Sequence, residues 1–356
     1  MTRWRRSTAR TARTAGRAGR GARVRRAALM AGLLAVTATV TACGSSGSGA
    51  SSPGGGSAKS TVKGAKYTIA VVPKSVGLFY WGTVHAGAEA AASKYHVNIV
   101  WKGTATETDV SGQVNILQDF ITSHISGIAF AATDAHGLVA TAQAAQKAGV
   151  PVVNIDSGIS PQGPPLVATD NVTAASKAAD ILTQLIGGSG QVALLPFVPS
   201  AATSIQRQQG FEQELTKHSG VKLVAVKYDQ SDISTALSET ENILTSHPNL
   251  KGIFAANEPG VIGAVHALIE RGLIGKVKVV GFDNAPDEVS ALGSGQVQAL
   301  IIQNPFQIGY QGVAEVSSLL QHHSVPHSVD TGSIVATKAN MNQPSVHKLL
   351  VPPTAK

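Results

Sequence analysis

Polar and aromatic residues recur in this 356-residue chain directly after short apolar segments. Seven such groups are found, at positions 73–81, 133–134, 156–157, 196–199, 257–258, 283–284 and 303–304. They contain carboxylates and amides, which hydrogen-bond hydroxyl groups, and aromatic rings, which pack against apolar faces. If the fold brings these groups together, they could converge on a small organic molecule.

Residue patterns for catalysis or for metal binding are missing from the sequence. It contains no G-x-S-x-G nucleophile motif, no Walker motif and no G-x-G-x-x-G motif. A single cysteine excludes a disulfide framework and a cysteine-ligated zinc cluster. His322, His323 and His327 lie in a polar loop at a helix end without a cluster of carboxylate or cysteine partners, which favours a solvated loop over a metal site. We therefore predict no catalytic residue, no metal and no cofactor.

The apolar segments alternate with helical patterns from Tyr67 onward. The segments that predict strands are 67–72, 97–101, 127–132, 151–155, 166–169, 191–195, 222–226, 251–256 and 277–282. Those that predict helices are 81–94, 109–124, 137–148, 173–186, 203–218, 233–247 and 259–272. Continuous apolar strands separated by helices are typical of parallel sheets that are covered on both faces. Two such series predict an α/β fold with two doubly wound parallel-sheet lobes, which bind ligands beyond the carboxyl ends of their strands.

Five segments resemble, in sequence and in order, the ribose-type (type 1) periplasmic binding proteins, which are the substrate-binding components of ABC sugar importers. These segments are 71–92, 125–156, 243–258, 277–287 and 299–312. The most specific parts are VVGFD at 279–283, the asparagine after the FAA strand and Q-x-P-x-x-x-G at 303–309. The resemblance covers about 66–340, which is nearly the whole chain after its leader.

The resemblance implies two lobes joined by a three-strand hinge, with crossings near 168–171, 303–305 and 333–336. The N-terminal lobe would comprise 66–169 plus 304–333, and the C-terminal lobe 170–303 plus 334–356. The chain would therefore change lobes, and neither lobe would be one continuous segment.

The resemblance also implies six ligand-binding residues. Phe79 and Tyr80 match the aromatic pair that sandwiches the sugar ring, and Asp156 matches a carboxylate at the end of the fourth strand. The second lobe and the hinge would supply Asn257, Asp283 and Gln303. An ionised aspartate accepts hydroxyl hydrogens, whereas asparagine and glutamine both donate and accept.

Four positions depart from the family pattern. They are Ala131 in place of asparagine, Ser157 and Ile205 in place of arginine, and Ser231 in place of a second-lobe aromatic residue. Tyr228 or Phe197 could supply the missing ring, and Arg207 is interpreted as structural. The absence of two arginine guanidinium groups removes charge-assisted hydrogen bonds that would hold a solute bidentately. We therefore predict a neutral solute such as a sugar or polyol.

The excess of basic over acidic residues in this chain comes from its leader. Ten arginines precede residue 27 and no acidic residue precedes Cys43, so removing the leader changes the net charge from +8 to −2. A nucleic-acid partner, which a basic protein would otherwise suggest, is therefore not predicted.

The leader predicts export and lipidation. Residues 1–26 are arginine-rich, 27–40 are apolar and Val40-Thr41-Ala42-Cys43 resembles the lipobox of bacterial lipoproteins. Residues 1–42 would be the signal peptide, Cys43 the lipidated residue and 43–65 a flexible Gly/Ser tether. The body would be anchored by lipid to the outer face of the cell membrane, while the export route stays open.

The predicted partners are a small neutral solute, the membrane subunits of an ABC permease and the membrane itself, and we expect a monomer. A ligand-sensing receptor subunit would need the same closing cleft, so that alternative stays open. An extracellular hydrolase is less favoured because no nucleophile motif is found. A transcription factor of the lactose-repressor type is disfavoured by the export signal and by the lack of an N-terminal helix-turn-helix.

Overall fold

A computed structural model of the protein describes residues 57–161 and 163–355. The predicted signal peptide, Cys43 and most of the predicted tether lie outside the described residues. Within the described ranges, no helix combines the length and the apolarity that crossing a bilayer requires.

Seven strands of the described chain form a first sheet. They are β1 (Ser57–Ser60), β2 (Thr68–Val72), β3 (Asn98–Lys102), β4 (Gly127–Phe130), β5 (Val152–Ile155), β6 (Leu166–Ala168) and β12 (Ser328–Asp330). Their spatial order is β1-β3-β2-β4-β5-β6-β12. Neighbours are parallel except β1 and β3, which are antiparallel.

Six further strands of the described chain form a second sheet. They are β7 (Gly190–Leu195), β8 (Val221–Val226), β9 (Leu250–Ala255), β10 (Lys278–Phe282), β11 (Ala299–Ile302) and β13 (Ile334–Thr337). Their order is β13-β11-β10-β9-β7-β8, and only the β11–β13 pair is antiparallel.

Helices cover both faces of each sheet. The first sheet carries α1 (Phe79–Tyr95), α2 (Val110–Thr122), α3 (Val139–Lys147) and α9 (Pro305–Leu320). The second carries α4 (Asn171–Leu185), α5 (Ala202–Leu215), α6 (Ile233–Ser246), α7 (Glu258–Glu270), α8 (Pro286–Ser294) and α10 (Pro344–Leu350). Each sheet with its helices is one lobe, which confirms the predicted fold of two doubly wound lobes.

The strand sequences explain this layering. In β2, Ile69 and Val71 belong to one hydrophobic cluster and Ala70 and Val72 to another, and all four are fully buried. Because side chains alternate between the two faces of a strand, a continuous apolar run needs cover on both sides. The second sheet likewise separates two clusters.

Two glycines set the position of α1, the helix that begins at the candidate site. A Cβ on Gly87 would collide with the backbone oxygen of Phe306, and a Cβ on Gly309 would collide with the backbone oxygen of Val84. The α1 and α9 backbones therefore approach more closely than any other residue type would allow.

The chain passes between the two sheets three times. It leaves the first sheet after Ala168, returns after Ile302 and leaves again after Asp330. The second of these crossings contains Gln303, which places that residue between the lobes.

The predicted tether is wrong at its C-terminal end. Residues 43–65 were expected to form no packed element, but Ser57–Ser60 pairs with β3 as an antiparallel edge strand. Backbone hydrogen bonds to an open sheet edge need no apolar side chains, so the Gly/Ser-rich composition does not prevent this pairing.

Candidate functional site

A small pocket lies where the carboxyl ends of strands from both lobes face each other. Its walls include residues that follow β2, β5, β9, β10 and β11. The free space within it is about 20 Å³, roughly the room that one water molecule needs. The pocket is therefore nearly filled by the protein's own side chains.

Asp156 and Tyr80 meet on the first-lobe side of the pocket. The Tyr80 hydroxyl donates to Asp156 Oδ1 at 2.8 Å, and both residues are buried. Asp156 lies directly after β5 with φ at 58°, a left-handed conformation that is costly for most residues and tolerated by aspartate. Burial, and next the Asp156 charge, raise the pKa of Tyr80 well above its ordinary value.

Asp283 and Gln303 form the matching pair on the second-lobe side. Gln303 Nε2 donates to Asp283 Oδ1 at 2.6 Å, and Asp283, directly after β10, has φ at 87°. Burial raises the pKa of the Asp283 carboxyl, and the nearby Arg207 guanidinium opposes that rise. Gln303 Oε1 is buried and has no hydrogen-bond partner among the described residues, so this amide can still accept a hydrogen.

Asn257 has a structural role as well as a place in the pocket wall. Its Oδ1 accepts from the Gly260 backbone N–H at 3.0 Å and so caps α7. Its Nδ2 donates to Ser231 Oγ at 3.2 Å, and Ser231 Oγ donates to Glu107 Oε2 at 2.7 Å. Because Glu107 belongs to the first lobe and Ser231 to the second, this network joins the lobes.

Lys74 is a pocket residue that sequence reasoning missed. It follows β2 and is 3% exposed, and its ammonium lies 2.9 Å from Asp156 Oδ2 and donates to Thr203 Oγ1 at 3.0 Å. The same ammonium is 5.7 Å from the ring centroid of Trp81 and 5.4 Å from that of Phe197. The signal in the sequence was a lysine within two residues of an apolar strand end.

Arg207 also lines the pocket, in addition to the structural role predicted for it. The guanidinium lies 3.7 Å from the Phe282 ring centroid. It donates to Asn171 Oδ1 at 2.8 Å and to the Ala256 backbone oxygen at 2.7 Å. These contacts hold the positive charge beside the strand ends of the second lobe, where it faces Asp283.

Glu258 connects the second lobe to the first helix of the other lobe. Its carboxylate oxygens accept the backbone N–H groups of Phe79 at 3.3 Å and Tyr80 at 3.2 Å. These are the first two N–H groups of α1, which has no side-chain cap of its own. Burial raises the pKa of Glu258 from 4.5 to about 7, with smaller contributions from neighbouring carboxylates and opposition from the two N–H groups.

The structure does not bring Phe79 to the pocket. Its side chain is half-buried and lies outside the pocket wall, whereas Tyr80 and Trp81 both line it. The Trp81 Nε1 donates to Glu107 Oε1 at 2.8 Å, and its ring meets the Tyr80 ring edge to face with 5.0 Å between centroids. Successive helical residues point about 100° apart, so only part of the Phe79–Trp81 triplet can face the cleft.

The four departures from the family pattern lie in different surroundings. Ala131 and Ser157 are fully buried, and Ile205 is 44% exposed and away from the pocket. Of the two rings considered as replacements for an aromatic at Ser231, Phe197 lines the pocket, whereas the Tyr228 hydroxyl donates to Gln208. The pocket wall therefore holds three aromatic rings, those of Tyr80, Trp81 and Phe197.

Possible metal ligands lie away from the pocket. His322, His323 and His327 are exposed. In the described part of the chain, one group of ligand-type side chains is close enough to share an ion: Asp180, Glu214 and His218. A hydrogen bond of 2.9 Å between His218 and Asp180 already accounts for that arrangement.

Comparisons with known proteins place this geometry in context. Residues 69–324 match the family model described as periplasmic binding protein domain. The D-allose-binding periplasmic protein of Escherichia coli K12 is 31% identical over 253 residues, which cover 68% of this chain and 81% of that protein. A solute-binding protein of an ABC transporter from Agrobacterium vitis was solved with bound D-fucose. It is 34% identical to this chain with a TM-score of 0.78, and the match covers 80% of this chain and 100% of that protein's chain. One from Agrobacterium radiobacter, solved with D-arabinose, is 33% identical with a TM-score of 0.78, covering 81% of this chain and 100% of its own.

Proposed function

The chain belongs to the periplasmic binding protein domain family, and on that premise we propose that it captures a small neutral sugar or polyol and delivers it to an ABC permease. Side chains from strand ends of both lobes support this proposal, because they meet around one pocket. Tyr80 and Asp156 come from the first lobe, Asn257 and Asp283 from the second, and Gln303 from a crossing.

The chemistry of the pocket wall favours a polyhydroxylated solute. Asp156, Asp283 and Gln303 present oxygens that accept hydroxyl hydrogens, and Asn257 can both donate and accept. Trp81 and Phe197 present ring faces of the kind that pack against the C–H face of a sugar. In this proposal Trp81 takes the stacking role that the sequence assigned to Phe79.

The balance of charge disfavours an anionic solute. Four carboxyl groups line the pocket, those of Glu107, Asp156, Glu258 and Asp283, against the two cations of Lys74 and Arg207. The Lys74 ammonium is paired with Asp156, and the guanidinium is engaged by Asn171 and Ala256. Both cations of the pocket wall are therefore already engaged, and a carboxylate or phosphate on the solute would have to compete for them.

Closure of the two lobes would couple capture to delivery. A solute that contacts Asp156 and Asp283 together bridges the lobes, so it binds the closed state better and shifts the population towards it. The permease would then recognise the closed surface. We place the lobe boundaries at the three crossings, with 66–169 plus 304–333 in the first lobe and 170–303 plus 334–356 in the second.

The leader supports a place outside the cytoplasm. In this proposal residues 1–42 are removed, Cys43 receives the lipid and the monomeric body stays at the outer face of the membrane. Mass spectrometry of the purified membrane fraction tests this directly. We expect an acylated Cys43 at the mature N-terminus, and a Cys43→Ala variant recovered without lipid from the soluble fraction.

A thermal-shift and calorimetry screen tests the proposed solute class. D-allose, D-fucose, D-arabinose, xylitol and D-glucuronate form a suitable panel, because a bound solute stabilises the folded protein. We expect a neutral member to bind and D-glucuronate to fail. Tight binding of D-glucuronate with no binding of neutral sugars would overturn the neutral assignment.

A pair of matched variants then tests the pocket. Asp283→Asn removes a buried carboxylate that accepts from Gln303, whereas Asp287→Asn changes an exposed carboxylate on α8. We expect the first variant to weaken solute binding by roughly tenfold or more, since a hydrogen bond to a charged group contributes about 1.5–3 kcal/mol. Equal affinities in the two variants would place the binding site elsewhere.

The same protein should show no turnover. Incubation with chromogenic glycosides and esters separates a binder from a hydrolase, and we expect no release of chromophore. Turnover that Asp156→Asn abolishes would favour the hydrolase.

A further inference from the structure

The last described residues of the chain reach from the second lobe to the first. Helix α10 belongs to the second lobe, where Val346 and Leu350 are buried in one of its hydrophobic clusters. Beyond the end of α10, the Ala355 backbone N–H donates to the Gly82 backbone oxygen of α1 at 3.0 Å. Residues 351–355, the C-terminal tail, therefore add a contact between the lobes to the three chain crossings.

The tail is held beside the candidate site at both of its ends. Just before the tail starts, the buried Asn284 side chain donates from Nδ2 to the Leu349 backbone oxygen at 2.7 Å. Asn284 directly follows Asp283, and Gly82 directly follows Trp81, and both preceding residues line the pocket. The tail therefore passes from the β10 side of the pocket to the start of α1.

The composition of the tail suits it for docking. Pro352 and Pro353 each fix φ at about −65°, and proline-rich segments act as semi-rigid spacers. Ordering such a segment costs less conformational entropy than ordering a Gly/Ser-rich one. Thr354 lies against α1, since a Cβ placed on Gly82 would be 4.0 Å from the Thr354 Cβ, an ordinary contact distance. The family match covers 69–324, so the tail lies beyond the matched domain.

We propose that the C-terminal tail is a clasp, which docks on α1 once a solute has brought the lobes together and then slows the release of that solute. The solute drives closure, because it contacts side chains of both lobes, and the tail adds a backbone hydrogen bond to the state so formed. Because α10 and α1 belong to different lobes, this bond favours the arrangement in which the lobes are together. The identity of the solute rests on the proposed function, whereas the contact between the tail and α1 does not.

Release kinetics measure the clasp. The probe is the sugar that binds most tightly among D-allose, D-fucose and D-arabinose, followed by stopped flow. Ala355→Pro removes the donor N–H. A chain that ends at Pro352 removes the docked end, while it keeps the Val351 N–H that donates to the His347 oxygen at the end of α10. We expect both variants to release the sugar about two- to tenfold faster, the factor that one net hydrogen bond provides, with an unchanged association rate.

Ala355→Ser is the matched control, because it changes the side chain and keeps the N–H. We expect it to release the sugar as the wild type does. An unchanged release rate in both Ala355→Pro and the shortened chain would overturn the proposal. An equal increase in Ala355→Ser would also overturn it, as would a change confined to the association rate.

A cross-link tests the contact without any solute. The Cβ separation of 4.0 Å between positions 82 and 354 lies in the range of about 3.5–4.5 Å that disulfides span. In a Cys43→Ser background, Gly82→Cys with Thr354→Cys should therefore oxidise to a disulfide. The control pair is Gly82→Cys with Ser345→Cys, whose second position is exposed at the start of α10, and we expect it to cross-link much more slowly.

The sugar links the two measurements. We expect it to accelerate cross-linking of the first pair, and we expect the disulfide to slow sugar release until dithiothreitol reduces it. Equal cross-linking of the two pairs would overturn the proposal. If none of the three sugars binds, the proposed function fails, and the comparison of the two pairs still decides whether the tail docks on α1.

Discussion

Glu258 should make closure of the lobes less favourable as pH rises. Its carboxylate accepts the first two N–H groups of α1 from the opposite lobe, and it is 8% exposed. Burial raises its pKa from 4.5 to about 7. In an open cleft the carboxyl would face water and titrate near its ordinary value, so closing takes up a proton.

The size of the effect follows from those two pKa values. The difference between 4.5 and about 7 corresponds to about 3 kcal/mol of closing free energy. A group whose pKa is raised stabilises the closed state most below the lower pKa, and that stabilisation is lost as pH rises through the higher one. Solute affinity should therefore fall on the order of 70-fold between pH 5 and pH 8, with about 0.9 protons taken up per binding event at pH 6.

Calorimetry in buffers of different ionisation enthalpy measures that proton uptake with the tightest-binding sugar of the panel. Glu258→Gln should remove this part of the uptake and flatten the pH dependence, because the amide still accepts an N–H but does not titrate. Glu270→Gln changes an exposed carboxyl at the other end of the same helix and should leave both measurements unaltered. Affinity that rises with pH, or proton uptake that Glu258→Gln leaves intact, would refute the reasoning.

Four further variants test the packing and the ring faces. Gly309→Ala should cost about 3 kcal/mol or more of stability in urea unfolding, because a Cβ there collides with the Val84 backbone oxygen; a cost under 1 kcal/mol would contradict the close helix crossing. Arg207→Ala should cost about 2–4 kcal/mol, since it leaves buried acceptors unpaired; full stability with normal folding would contradict that role. Trp81→Ala should weaken sugar binding by roughly tenfold and Phe79→Ala by less than threefold, and calorimetry giving the reverse order would restore the stacking role to Phe79.

The secondary structure of the body could be read from the sequence because its strands carry a strong local signal. A run such as Ile69–Val72 is apolar at every position and rich in β-branched residues, which is typical of a strand covered on both faces. The strands predicted at 67–72 and 277–282 are observed at Thr68–Val72 and Lys278–Phe282. Helix α8, by contrast, was not predicted, because nine residues give little periodicity from which to judge.

The pairing of the Gly/Ser-rich segment was beyond sequence reasoning. Ser57–Ser60 becomes a strand because β3 offers an open edge, and that edge exists only once the first sheet has formed. The amino-acid types in that segment do not predict an edge strand.

Apolar periodicity in the sequence predicted which polar groups follow the strands, and parallel strands present their carboxyl ends at one edge. The family resemblance then singled out Tyr80, Asp156, Asn257, Asp283 and Gln303 among those groups. Tertiary structure decided which neighbours face the pocket. It turned Trp81 rather than Phe79 inward, through the start of α1, and brought the Lys74 ammonium to Asp156 and Thr203. Side-chain direction and contacts between lobes depend on the packing of distant segments, which no local pattern records.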